Sequence, residues 1–198
     1  MKKQFKVELP NRPKIAVIGH SGSGKSTLAV FLSNQYSVPL LHIDSIHFLP
    51  GWVERETEDE LVLMRAFLDE NEERGWVIDG NYRKLEHERR MDEADLIIYM
   101  NFNRWVCFWR AWRRSRKYKN STRPDIAEGC NEKFDKEFRM WILHDGRTRQ
   151  KLARYAALVE EHGEKSVEIR NDRELERLKE MLSKQGRAGN EWINKPHS

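Results

Sequence analysis

Short apolar runs alternate with longer amphipathic ones along most of the chain. Lys14 to Gly19 (KIAVIG) is apolar and β-branched without alternation, the pattern of a central strand covered on both faces. A glycine-rich turn follows, and STLAVFLSNQY then sets Leu28, Phe31 and Leu32 on one helical stripe. VPLLHID predicts a second strand that runs into a polar loop. Glu56 to Glu73 predicts a helix with Leu61, Met64, Phe67 and Leu68 on one face. GWVIDG predicts a third strand, Lys84 to Met91 a short helical segment, and ADLIIYMNF a fourth strand. Arg104 to Tyr118 predicts a strongly basic helix, and KNSTRPDIAEGC a loop. Asn131 to His162 reads as mostly helical with a break at Gly146. KSVEIR predicts a fifth strand and Asp172 to Leu182 a last helix.

Strands alternating with helices predict right-handed crossovers and a parallel sheet with helices on both faces, an α/β fold. Ligands in such folds bind outside the carboxyl ends of the strands. Gly19, Asp44, Asp79 and Asn101 fall at those ends, so four separate segments are expected around one cleft. A chain of 198 residues can bury one substantial core. One domain over residues 1–182 is the simplest organisation, with 183–198 as a polar tail. Lys and Arg total 36 against 32 Asp and Glu, and a net charge of +4 does not by itself announce a nucleic-acid binder. Cys107 and Cys130 lack metal-ligand spacing and point to a reduced, cytoplasmic setting. No apolar run is long enough to span a membrane, and the start, MKKQFKVELPNRPK, has no apolar signal core.

One motif says what the cleft holds. Gly19-His20-Ser21-Gly22-Ser23-Gly24-Lys25-Ser26 fits the phosphate-loop pattern G-x-x-x-x-G-K-S/T, between a strand and a helix as that pattern requires. Gly22 and Gly24 permit backbone conformations closed to other residues, so successive N–H groups, including those of Ser21 and Ser23, converge on phosphate oxygens. The helix N-terminus adds its partial positive charge. Lys25 is placed to reach the β- and γ-phosphates of ATP, and the Ser26 hydroxyl to hold Mg²⁺. Thr27 either packs or contacts the α-phosphate.

The other strand ends add chemistry. A carboxylate beside a phosphate loop, here Asp79, orients Mg²⁺, often through water; the plain alternative is a turn-forming Asp-Gly pair. Asp44 follows the second strand, and His47 comes three residues later. A carboxylate in reach of an acceptor hydroxyl takes its proton during phosphoryl transfer. Asp44 is thus the candidate acceptor residue and His47 a candidate binding residue. The rival readings are a helix cap for Asp44 and a satisfied structural histidine for His47. Phe48 and Trp52 either wall a planar acceptor or pack in the core.

RWVCFWRAWRRSRKYK, Arg104 to Lys119, carries seven basic residues and no acid. At helical spacing Trp105, Phe108, Trp109 and Trp112 share one arc and are expected to face the core. Arg110, Arg113, Arg114 and Lys117 share a neighbouring arc, which favours a polyanion nearby. Two polyanions compete, the triphosphate, whose transferring group needs cationic clamps, and nucleic acid, read by arginine with aromatic stacking; a solvated charged face is the plain alternative. Nucleic acid ranks second, because rings turned to the core cannot stack on bases.

VIDGNYR, Val77 to Arg83, resembles the strand-end segment of adenylate kinase, where Asp-Gly precedes an arginine that grips the acceptor's phosphate. Asp79, Gly80 and Arg83 match, and Asn81 and Tyr82 replace the usual Phe-Pro. Arg110 and Arg114 reproduce an Arg-x-x-x-Arg spacing found in the helix leading into that enzyme's lid. GHSGSGKSTLA, LHIDSIHFLPGW, WVIDGNY, the basic helix and RPDIAEGC together resemble the DNA topology modulation proteins, phosphate-loop relatives of adenylate kinase. That likeness runs from about Lys14 to Leu182. It implies a nucleoside-monophosphate-kinase type of fold, strand order 2-3-1-4-5, an ATP and Mg²⁺ site, and a short lid-like segment near 117–131. It leaves the acceptor open, a nucleotide or a small hydroxyl compound. The family's name also raises a second reading, a nucleotide-dependent DNA-associated regulator. Arg123, Arg139, Arg147 and Arg149 are candidates to enter a closed site. Asn171-Asp172-Arg173 lies where the related kinases hold adenine. Gluconate and shikimate kinases place an Asp after the second strand, as Asp44 stands here, whereas adenylate kinase carries no Asp-x-x-His segment there.

Overall fold

The computed structural model describes residues 8–118 and 125–193. β1 (Lys14–Gly19) buries Ile15, Ala16, Val17 and Ile18 on both of its faces, which requires a place in the middle of a covered sheet. α1 (Lys25–Tyr36) starts from Gly24 at φ 97°, a left-handed conformation that glycine adopts without strain. β2 (Leu40–His42), α2 (Ile43–His47) and a small antiparallel hairpin of β3 (Phe48–Leu49) and β4 (Val53–Glu54) follow. Next come α3 (Thr57–Glu70), β5 (Trp76–Asp79), α4 (His87–Glu93), β6 (Leu96–Met100) and α5 (Arg104–Lys117). After these stand α6 (Lys136–Leu143), a 3₁₀ turn at Asp145–Arg147, α7 (Arg149–Glu161), β7 (Ser166–Ile169) and α8 (Asp172–Ile193).

The main sheet has five parallel strands in the order β2-β5-β1-β6-β7. Counted over these strands alone, that is the expected 2-3-1-4-5. Alternate residues of β1 serve opposite faces. Ile15 and Val17 pack in one core with Leu28 and Leu32 of α1, Ala111 of α5 and Leu178 of α8. Ala16 and Ile18 pack in the other with Met64 and Leu68 of α3, Met91 of α4 and Leu158 of α7. Helices thus cover both faces, and the α/β expectation holds.

Several boundaries differ from the sequence reading. β2 ends at His42, so Asp44 lies in the first turn of a short helix rather than on a strand end. The stretch expected as a polar loop closes as the β3–β4 hairpin. The break expected at Gly146 is present, as the 3₁₀ turn between α6 and α7. The last helix continues past Leu182 to Ile193. Arg123 and the middle of the lid-like segment, residues 119–124, lie outside the described residues, as do 194–198 of the tail.

The basic helix is turned differently from the expectation. Trp105 and Trp109 are 58% and 56% exposed, not core-facing, and Phe108 and Trp112 are half-buried. The buried face of α5 carries Cys107 and Ala111. A β-carbon at Gly22 would come within 2.4 Å of the Cys107 carbonyl oxygen. Backbones that close leave room for a thiol or a methyl group between them, and none for an indole. Contact with the phosphate loop decides which way α5 faces, over the pull of its apolar arc.

Candidate active site

Residues Gly19 to Thr27 line one large cleft above the carboxyl ends of the strands. The turn is closed by the Ser23 N–H donating to the His20 carbonyl at 3.2 Å, and Lys25 Nζ donates to the same oxygen at 3.2 Å. That carbonyl is a weak partner for an ammonium group and leaves Lys25 able to turn to a phosphate. Ser23 is fully buried, and its Oγ has no hydrogen-bond partner among the described residues. Thr27 is exposed on the cleft, so it does not pack. His20 is 5% exposed, with Nε2 3.2 Å from the Tyr99 hydroxyl and its ring against Tyr155. Burial, followed by the charges of Arg147 and Lys25, pushes its pKa down to about 4, so it is neutral at pH 7.

Asp79 ends β5 and is 6% exposed. Its Oδ2 lies 3.0 Å from His42 Nδ1, while Oδ1 is buried without a hydrogen-bond partner among the described residues. Burial pushes this carboxyl up, but the His42 bond, the Lys25 charge and the Ser26 hydroxyl more than offset it, and the net shift is downward. An ionised carboxylate with one orphaned oxygen, next to Ser26 and Lys25, fits a hydrated Mg²⁺ ion. Among the described residues no group of three or more His, Cys, Asp or Glu side chains forms a metal cage. Mg²⁺ that takes most of its ligands from phosphate and water needs none.

Arg110 and Arg114 both line the cleft but have different neighbours. Arg110 Nη1 donates to the Ser23 carbonyl at 2.8 Å, and its guanidinium lies 4.5 Å over the Phe102 ring. Its other terminal nitrogen pairs with Asp172 at the start of α8. Arg110 thereby links the phosphate loop to the Asn171–Arg173 segment. Arg114 Nε instead donates to Glu132 at 2.8 Å, a carboxylate whose side chain is 1% exposed. Of the four lid-region arginines named from the sequence, Arg147 lines the cleft, bonding Cys107 Sγ at 3.1 Å, while Arg139 and Arg149 do not line it.

The other end of the cleft gathers Asp44, His47, Phe48, Trp52, Tyr82 and Arg83. The N-cap position of α2 is His42, not Asp44, and it makes no side-chain cap bond, so the cap reading of Asp44 is not realised. Its Oδ1 accepts a hydrogen bond from the Tyr82 hydroxyl at 2.8 Å. Burial and the Asp44 charge push the Tyr82 phenol up, so it stays a donor. His47 Nδ1 bonds Glu60 Oε1 at 2.9 Å, and Glu60 is 4% exposed. His47 therefore has the satisfied structural role and also lines the cleft. Rings run in sequence from Trp52 to Phe48 (5.1 Å), His47 (4.5 Å) and Tyr82 (4.5 Å). Phe48 and Trp52 are half-buried cleft residues, not core ones. Trp52 holds φ at 68°, which costs about 1–2 kcal/mol for a residue with a side chain. Its indole Nε1 donates to the Asn131 carbonyl at 2.8 Å, and Gly51 N donates to the Gly129 carbonyl at 3.2 Å. The strained turn is thus tied to the lid-like segment. Arg83 is exposed at the cleft edge.

Sequence reasoning missed the partners. His42 and Tyr82 touch the two carboxylates across 37 and 38 residues of chain, and no local pattern announces such a pair. Arg90, in the segment Lys84 to Met91 expected to be helical and not singled out from the sequence, is fully buried, and burial lowers its pKa to about 10.

No family model matches the chain, and no curated protein matches it either. Solved structures do match. Shikimate kinase from Acinetobacter baumannii, in complex with shikimate, aligns with a TM-score of 0.51 at 16% identity, covering 88% of this chain and 98% of that one. A sugar kinase from a Janibacter species aligns at 0.47 and 14% identity over 91% and 95% of the two chains. A gluconokinase from Sinorhizobium meliloti aligns at 0.44 and 16% identity over 93% and 98%. The first match shows a shared phosphate-loop kinase fold, and the two weaker ones add nothing to it. The narrower resemblance to the DNA topology modulation proteins rests on sequence segments alone.

Proposed function

We propose that this chain is an ATP- and Mg²⁺-dependent phosphotransferase acting on a small hydroxyl-bearing acceptor. The observation that carries the reading is Asp44, held by the Tyr82 hydroxyl and lining the same cleft as the phosphate loop. In this reading the N–H groups of Gly19 to Thr27 cradle the triphosphate, and Lys25 turns from the His20 carbonyl to the β- and γ-phosphates. Ser26 and the orphaned oxygen of Asp79 would hold Mg²⁺, which would supply neutralising positive charge to the triphosphate. Arg110 and Arg114 clamp the transferring group, Arg114 after leaving Glu132. Asp44 accepts the acceptor's hydroxyl proton as the new O–P bond forms and the bond to the ADP oxygen breaks. His47 and Arg83 bind the acceptor.

A hydroxyl compound is favoured over a nucleoside monophosphate. Arg89 bonds Asp69 and Glu93, and Arg90 bonds backbone carbonyls, so Arg83 is the arginine of this segment that meets the cleft. Within this segment a dianionic phosphate would meet one exposed arginine, fewer cationic donors than such a group usually draws. The test is ADP release with Mg-ATP over a panel of nucleoside monophosphates and small alcohols, sugars and hydroxy acids. At least one hydroxyl compound is expected to raise release above the acceptor-free rate, and the monophosphates to raise it less. A panel that never exceeds the acceptor-free rate, or one led by a monophosphate, goes against this reading.

A specific observation favours a second reading. The outward turn of Trp105 and Trp109 removes the reason for ranking nucleic acid low, since exposed indoles beside Arg113, Arg116 and Lys117 can stack on bases. It predicts salt-sensitive DNA binding that Arg113→Ala/Lys117→Ala weakens while ATP hydrolysis persists. A low-salt gel-shift or anisotropy titration that shows no binding rejects it.

A further inference from the structure

Arg90 is 0% exposed, yet among the described residues its side-chain hydrogen bonds go to backbone carbonyls. Nε donates to the Leu85 carbonyl at 2.8 Å, Nη1 to the Gly80 carbonyl at 3.3 Å and Nη2 to the Tyr82 carbonyl at 2.7 Å. The carboxylate it senses, Glu86, bonds Arg65 Nε at 2.7 Å instead. A buried guanidinium held by neutral carbonyls is an expensive way to fill a core position, and an apolar side chain of the same volume would be cheaper. What the guanidinium does, and an apolar chain would not, is gather three carbonyls of one loop around a rigid planar fork. Glu86, at the base of that loop, holds φ at 47°, so the loop also carries backbone strain that something must restrain.

The gathered loop is Gly80 to Leu85. It leaves the strand end at Asp79, carries Tyr82 to Asp44 and sets Arg83 at the cleft edge. Arg90 itself does not line the cleft. We propose that Arg90 is a positioning residue: by fixing the carbonyls of Gly80, Tyr82 and Leu85 it holds the Tyr82 hydroxyl on Asp44 and sets the geometry of the acceptor site. The link to catalysis rests on the reading of Asp44 as the acceptor residue. The link to Tyr82 does not. Lysine keeps the charge but has no planar fork and cannot meet three carbonyls spread along a loop, so Arg90→Lys separates geometry from charge.

Two readouts test it in the full-length protein. The first is fluorine NMR of protein carrying 3-fluorotyrosine, with the Tyr82 resonance assigned from Tyr82→Phe. Arg90→Lys is expected to move the Tyr82 resonance while those of Tyr99 and Tyr155 stay. The second is kinetic, with whichever acceptor the panel identifies. Arg90→Lys is expected to lower kcat/KM for the acceptor by about a hundredfold, the usual cost of misplacing a reacting group by an ångström, with KM for ATP unchanged. In Arg90→Ala, millimolar methylguanidinium is expected to restore part of the loss, which a general packing defect would not allow. An unmoved Tyr82 resonance in folded Arg90→Lys overturns the proposal. A moved resonance with unchanged acceptor kinetics upholds the positioning of Tyr82 and instead removes Asp44 and Tyr82 from the acceptor site.

Discussion

Lys25→Ala is expected to weaken ATP binding by about ten- to a hundredfold and to reduce phosphoryl transfer further. A charge-assisted hydrogen bond contributes about 1.5–3 kcal/mol, which sets the binding loss. Charge that develops on the transferring group raises the loss in rate by about another hundredfold. The fold should survive, because Lys25 is half-buried on the cleft and, among the described residues, its side chain bonds the His20 carbonyl at 3.2 Å and no other group. Calorimetric titration of wild type and variant with Mg-ATP reads the effect. Undiminished affinity in a folded variant would count against the phosphate-loop assignment.

Asp44→Asn should lower transfer to the acceptor by about 10²–10⁴-fold, the usual worth of a positioned general base, with ATP affinity unchanged. Asparagine can still accept from the Tyr82 hydroxyl, so the 2.8 Å bond survives as a neutral one. The stability change should stay within about 1 kcal/mol. Because the N-cap position of this helix is His42 and not Asp44, the helix loses no cap. Turnover measured beside thermal unfolding separates the roles: intact turnover with a lowered melting temperature would leave Asp44 a structural part alone.

Much of this architecture is legible along the chain, and what is not has identifiable causes. KIAVIG announces a covered central strand because its side chains are apolar on both faces, and the structure buries Ile15 through Ile18 accordingly. The phosphate loop is legible because its chemistry is local: glycines, lysine and serine at fixed spacing. The facing of α5 is not legible from its own residues. Its apolar arc points to four aromatic rings, yet the decisive constraint comes from Gly22, 85 residues from Cys107, where two backbones meet too closely for a ring. Asp44 was expected at a strand end and lies in a helical turn, because the chain bends at Ile43, which is buried against Gly80. The roles of His42, Tyr82 and Arg90 depend on contacts between segments, and spacing along the chain does not report those. Charge gives a misleading hint at Arg90, which the residue type places on the surface and the loop carbonyls draw inside.

The central claim is transfer of a phosphoryl group to an acceptor rather than to water. Phosphorus NMR of one reaction, with wild-type protein, Mg-ATP and the best acceptor of the panel, measures that directly. A new phosphomonoester resonance growing in step with ADP is the expected result. ADP matched by inorganic phosphate, with no new ester at any time, would contradict it.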